Sequence, residues 1–171
     1  MNKIIKEQIN RLKPSATLAI NEESNKLKKS GKKVYKFGFG QSPFPVPESI
    51  VSALKNNANK NTYLPMQGLG ELRSAIANQL NQSNNNDFVA ENIIVGPGTK
   101  ELMFLTQIAF EGEILLPAPS WVSYQPQAVI AKNKVHWIQT SNSSNWFPTA
   151  EQIENKIKSI KNQNLILFMN S

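Results

Sequence analysis

Apolar positions along the chain follow two periods, a helical one in the first half and a strand–helix alternation in the second. Across residues 15–30, Leu18, Ala19, Glu22, Glu23, Lys26 and Leu27 are arranged at helical spacing, with Ser15 as N-cap and Gly31 as the residue after the C-cap. Acids near the start and lysines near the end of this segment suit a helix dipole. Residues 34–39 read as a short strand. Residues 40–47 read as a loop, because Pro43, Pro45 and Pro47 forbid regular pairing. Pro47 then opens a helix through Ile50, Val51 and Leu54. Residues 59–68 form another loop, and residues 70–82 a helix with Leu72, Ile76 and Leu80 on its apolar stripe.

After a polar turn at residues 83–87 the pattern changes. Strands are expected at 92–95, 113–116, 134–138 and 164–169, with helices at 99–110, 121–132 and 149–160 between them. Short apolar strands alternating with helices predict βαβ units, right-handed crossovers and an α/β fold around a mostly parallel sheet. All four strands are expected to pair in parallel. The last, around Leu165 to Met169, reads as buried on both faces and calls for a covering helix after it. Parallel sheets place ligand sites beyond the carboxyl ends of their strands, so the chain is expected to stop where site residues would follow.

Composition narrows the class. The 171 residues, 40% of them hydrophobic, suit one domain or part of a larger one. No apolar run reaches the ~18–20 residues of a membrane span. Lys3, Lys6 and Glu7 interrupt the start too early for a secretory signal, which makes the cytoplasm the expected location. With no cysteine, disulfides, zinc–thiolate centres and a cysteine nucleophile are excluded. The net charge of +7 lies wholly in residues 1–36, a basic helical arm; residues 37–171 balance to zero and form the second expected domain. Such an arm can touch nucleic acid or an anionic surface. It lacks interleaved aromatic residues for stacking single strands and reads as a solvated helical face, so neither nucleic acid nor membrane is expected as a partner.

Four segments carry candidate chemistry. In Val95-Gly96-Pro97-Gly98-Thr99-Lys100, the glycines allow close backbone approach and the helix start offers N–H groups to an anion. Thr99 adds a hydroxyl. Lys100 opposes the helix dipole unless an anion sits there. The same residues also suit a tight turn with an incidental threonine cap. The glycine spacing matches neither a nucleoside-triphosphate loop nor a dinucleotide fingerprint. In residues 117–124, Trp121 can stack on a flat ring or cover the sheet. In residues 62–73, Tyr63 is either a phosphate donor or an ordinary loop tyrosine. Gly40 either presents a bare N–H to a carboxylate or serves a turn. His136, the only histidine, is expected to have no neighbouring carboxylate, and Glu111 and Glu113 read as solvated. No metal site is expected.

Taken in order, these segments resemble the class I, aspartate- and aromatic-type aminotransferases of fold type I, which use pyridoxal 5'-phosphate. Ala16-Thr17-Leu18-Ala19-Ile20 resembles the family's opening helix. Gly40 to Pro47 is similar to its Gly-Glu-Pro-Asp-Phe-x-x-Pro loop, with departures at Gln41, Ser42 and Pro43. Tyr63 to Arg73 resembles Tyr-x-x-x-x-Gly-x-x-Glu-Leu-Arg, Gly98-Thr99-Lys100 the phosphate turn, and Pro119 to Tyr124 the Pro-Tyr-Trp-Val-Ser-Tyr segment. The resemblance implies the amino-terminal part of the family's large domain, incomplete after residue 171.

It also implies roles. Gly98, Thr99 and the Lys100 N–H hold the cofactor phosphate, and Trp121 stacks on its ring. Tyr63 reaches the phosphate of the neighbouring subunit in a homodimer, and Gly40 offers its N–H to the substrate carboxylate. The activity implied is amino transfer between an amino acid and a 2-oxo acid. No lysine here has the family's serine-rich Schiff-base context, which implies that no catalytic residue lies in this chain and that it is inactive alone. The alternative is a non-catalytic fragment, or a decayed gene product, acting at most as a binding module.

Overall fold

The structure, a computed structural model, describes residues 4–38, 40, 42–161 and 164–170. In chain order these form α1 (Glu7–Asn10), α2 (Ala16–Lys29), α3 (Glu48–Asn57), α4 (Gly70–Asn84), α5 (Thr99–Ala109), β1 (Glu113–Ala118), α6 (Tyr124–Ala131), β2 (Val135–Gln139), α7 (Ala150–Lys158) and β3 (Leu165–Leu167). Single 3-10 turns lie at Ala90–Asn92 and Asn142–Ser144. None of the described helices is long and apolar enough to cross a membrane. Contacts divide the chain into two units, Gly40–Leu102 and the described residues on either side of it.

The larger unit is built on a parallel sheet in the order β2-β1-β3. Ile114 pairs with Val135 and Ile166 across the two neighbouring strands, and Leu115 with His136 and Leu167. The central strand is the core: Ile114, Leu115 and Leu116 are almost wholly buried. Each such side chain is worth about 1.5–3 kcal/mol relative to exposure. Ile114 and Leu116 pack with Tyr124 and Ala128 of α6 and with Met103 of α5, while α7 packs on β2. Between α5 and α6, buried Gln107 Nε2 donates to Gln127 Oε1 at 3.1 Å, and Asn133 Nδ2 donates to the Gln107 carbonyl at 2.9 Å. The capping box of α7 joins Thr149 and Gln152 reciprocally.

Several expectations shift. Residues 92–95 do not join the sheet, so three of the four expected strands are parallel. A ladder needs their backbone groups, which are engaged elsewhere: Ile93 O accepts from Arg73, and Val95 N–H donates to Gln67 O at 2.9 Å. The described part of the expected strand at 34–39 has no regular structure; Phe39 lies outside the described residues. β3 is only half-buried, because among the described residues it pairs with β1 alone. On α4 the buried positions are Arg73 and Ala77, whereas Leu72 is exposed. Helix α2 ends as expected, with Gly31 N–H on Lys28 O and Lys32 N–H on Leu27 O. Its Ser15 N-cap makes no side-chain cap bond.

His136 and Glu113 also differ from expectation. The parallel register sets them diagonally on one face of the sheet. The His136 Nε2 meets the Glu113 carboxylate, and both side chains are largely buried, at 16% and 19% exposure. Glu113→Gln keeps the size and removes the charge, so we expect a loss of about 1 kcal/mol. A double-mutant cycle with His136→Phe checks this, and additive effects would show that the two side chains do not interact.

Candidate functional site

In the unit Gly40–Leu102, the turn before α5 is set by Gly98. Its φ of +116° is open to glycine and strained for any side chain, although a Cβ there would meet nothing within 4 Å. The space beside it is therefore clear. Gly98 N–H donates to Gly96 O at 2.7 Å, and Gly98 O accepts from Glu101 and Leu102 N–H at 3.2 and 3.3 Å. The helical ladder thus begins at Glu101, and the Thr99 N–H precedes it at the positive end of the dipole. Lys100 follows in the first turn. This start of α5 has the donors and charge for a phosphate.

Tyr63, in the same unit, is fully exposed. Its segment is tied to the one leading into the turn. Besides the Gln67–Val95 bond, Gly68 has φ +97°, and a Cβ there would lie 2.7 Å from Val95 Cβ. Arg73 Nε donates to Ala90 O and Ile93 O at 3.0 and 2.9 Å, and its Nη2 to Ala90 O at 2.6 Å. Sequence reasoning assigned no role to Arg73 or Gln67. The signal for Arg73 is a cation four residues before Ala77 on the buried side of a helix. Gly40 is exposed with open space around it. Of the Gln41, Ser42 and Pro43 departures, Gln41 lies outside the described residues.

Trp121 belongs to the other unit, three residues past β1. It is 36% exposed, and its ring meets Tyr124 edge-on at 5.4 Å between centroids. Tyr124 in turn stacks on Phe168 at 5.3 Å. The ring thus rests on buried Tyr124, itself stacked on half-buried Phe168, and keeps an exposed part. Thr140 Oγ1 donates to Ala118 O at 2.6 Å, closing the carboxyl end of β1 against β2. Thr140 was not singled out from sequence, because only the strand register brings it to Ala118. In the basic arm, Lys26 lies 3.7 Å from Glu23, Arg11 pairs with Glu7, Lys36 Nζ bonds Asn25 Oδ1, and Lys33 Nζ sits 5.1 Å over the Tyr35 ring.

Comparison with known proteins gives these features a family. The family model for aminotransferase class I and II matches residues 32–171. The chain is 31% identical over 156 residues to a probable aspartate/prephenate aminotransferase of Rhizobium leguminosarum bv. phaseoli, covering 88% of this chain and 39% of the relative. It is 32% identical over 162 residues to an aspartate aminotransferase of Bacillus sp. (strain YM-2), covering 92% and 41%. Among solved structures, a single mutant of Thermus thermophilus aspartate aminotransferase superposes with a TM-score of 0.85 at 26% identity, over 98% of this chain and 44% of that one. The aspartate aminotransferase from Rhizobium meliloti gives 0.85 at 26%, over 98% and 42%. The chain spans about 40% of the length of these curated relatives. With the parallel sheet and the ordered motifs, these matches establish that the chain belongs to the class I aminotransferases and corresponds to their amino-terminal part.

Proposed function

We propose that the protein transfers an amino group between an amino acid and a 2-oxo acid with pyridoxal 5'-phosphate, and that aspartate, named for its relatives, is its donor. The observation that carries this reading is the start of α5. Glycine conformation at Gly98, a helix N-terminus at Thr99 and the Lys100 cation fit a phosphate dianion. Pyridoxal phosphate supplies an electron sink for bonds at the amino acid's α-carbon.

This chain's own residues bind and orient. The Gly98–Lys100 turn and the Thr99 hydroxyl hold the phosphate. The anchored Trp121 ring gives the pyridine a flat face. The Gly40 N–H serves the substrate carboxylate. Full exposure of Tyr63 suits a hydroxyl that reaches the phosphate of a partner subunit. We accordingly assign residues 1–36 to a dimer-contact arm and residues 37–171 to the cofactor domain of a cytoplasmic homodimer. Proton transfer is assigned to none of these residues.

The test uses the protein as the cell makes it, with 15N-aspartate and 2-oxoglutarate. Label is expected in glutamate, measured by mass spectrometry, and to depend on added pyridoxal phosphate. Cofactor uptake without label transfer from aspartate or any other amino acid would refute the transferase reading.

A further inference from the structure

The proposed cradle is held in place from outside. Arg73 is 9% exposed, and a buried guanidinium is costly unless its donors are matched. Here its Nε and Nη2 donate to two main-chain carbonyls, Ala90 O and Ile93 O. Those carbonyls bracket the 3-10 turn Ala90–Asn92 and the start of the extended run into the Gly98 turn. The same run is gripped once more, at Val95, by Gln67 O and by Gly68 packed against the valine. Among the described residues, 90–95 have no strand partner to define their path, and two points of the Gln67–Arg73 stretch define it instead. All of these residues lie in one unit.

We propose that Arg73 is a positioning residue for the anion cradle: its fork on Ala90 O and Ile93 O sets the path of residues 93–98 and so the place of the Thr99 N–H. This rests on the reading of the α5 start as a phosphate site. Arg73 itself does not touch the anion. Its two observed donor atoms are directed at backbone carbonyls, which sets it apart from an arginine that grips a substrate carboxylate. The clamp uses no ligand atom, so it preorganises the cradle before the anion arrives, and preorganised donors bind best when misplaced least. Lysine cannot replace the fork, because an ammonium is a point donor.

The test is titration of the apo-protein, in the form the cell makes, with pyridoxal phosphate, followed by absorbance and by competition with inorganic phosphate. Arg73→Lys is expected to raise the Kd for both anions about tenfold, while kcat at saturating cofactor stays close to that of the parent. Gly68→Ala, which presses on Val95 at the second grip, is expected to move the Kd in the same direction. A role confined to folding would instead lower the folded fraction and kcat and leave the Kd of the folded protein unchanged; that result, or an unchanged Kd in both variants, overturns the inference. A parent protein that takes up pyridoxal phosphate normally while both variants match it sinks this inference alone. A parent that binds neither anion sinks the phosphate-site reading and the inference with it.

Discussion

Gly112→Ala is expected to destabilise the protein by about 3 kcal/mol or more. A Cβ at Gly112 would lie 2.3 Å from Cε1 and 2.5 Å from Cζ of Phe110, and 2.4 Å from the carbonyl oxygen of Asn164. The phenyl ring can swing away. The carbonyl cannot, because it accepts from Glu113 N–H at 3.0 Å at the start of the β1–β3 pairing. Asn164 is tied down again by its Nδ2, which donates to Glu111 O at 3.2 Å. Relief therefore requires moving β3 away from β1, whose Ile114 and Leu115 are at the centre of the core. Chemical denaturation of Gly112→Ala, Phe110→Ala and the double variant separates the two obstacles. If only the ring were in the way, the double variant would be no less stable than Phe110→Ala. We expect it to be less stable, and a Gly112→Ala protein within about 0.5 kcal/mol of the parent would refute the close approach.

The second large effect is expected at Gly98. At Gly98 a Cβ would meet nothing within 4 Å, so backbone conformation decides the effect of Gly98→Val. The substitution places a β-branched residue at φ +116°, where the backbone cost is on the order of 1–3 kcal/mol. The turn relieves this by rotating, and the Thr99 N–H leaves its direction at the head of α5. Affinity for pyridoxal phosphate should fall on the order of a hundredfold. Global stability should change far less than in Gly112→Ala, because no core side chain moves. Calorimetric binding set beside thermal unfolding gives both quantities. Unchanged binding by Gly98→Val would remove this turn from the cofactor site.

The two glycines illustrate which features were legible along the chain. Gly98 stands between an apolar run and a helix start, so its turn conformation was open to reading from neighbours alone. Gly112 matters through Asn164, fifty-two positions later, and no local pattern announces that approach. Helices α5 and α7 and strands β1 and β2 were likewise legible, because each buries a face with its own period. The segment 92–95 has the composition of a strand and was read as one. It misled because β-propensity describes a side chain's fit to a pleated surface and does not say whether a neighbouring strand exists.

By itself the sequence determined the α/β class, the alternation from residue 99 onward, the order of the aminotransferase motifs and the glycine turn at the head of α5. These rest on periodicity and on backbone conformations that only certain residues adopt, and both are properties of neighbours in the chain. Tertiary structure alone decided the strand order β2-β1-β3, the pairing of His136 with Glu113, the bond from Thr140 to Ala118 and the burial of Arg73 against Ala90 and Ile93. Each of these joins residues 17 to 52 positions apart through register or packing. The partner of a polar group is set by whichever atom the folded backbone brings within about 3 Å, and spacing along the chain does not encode it.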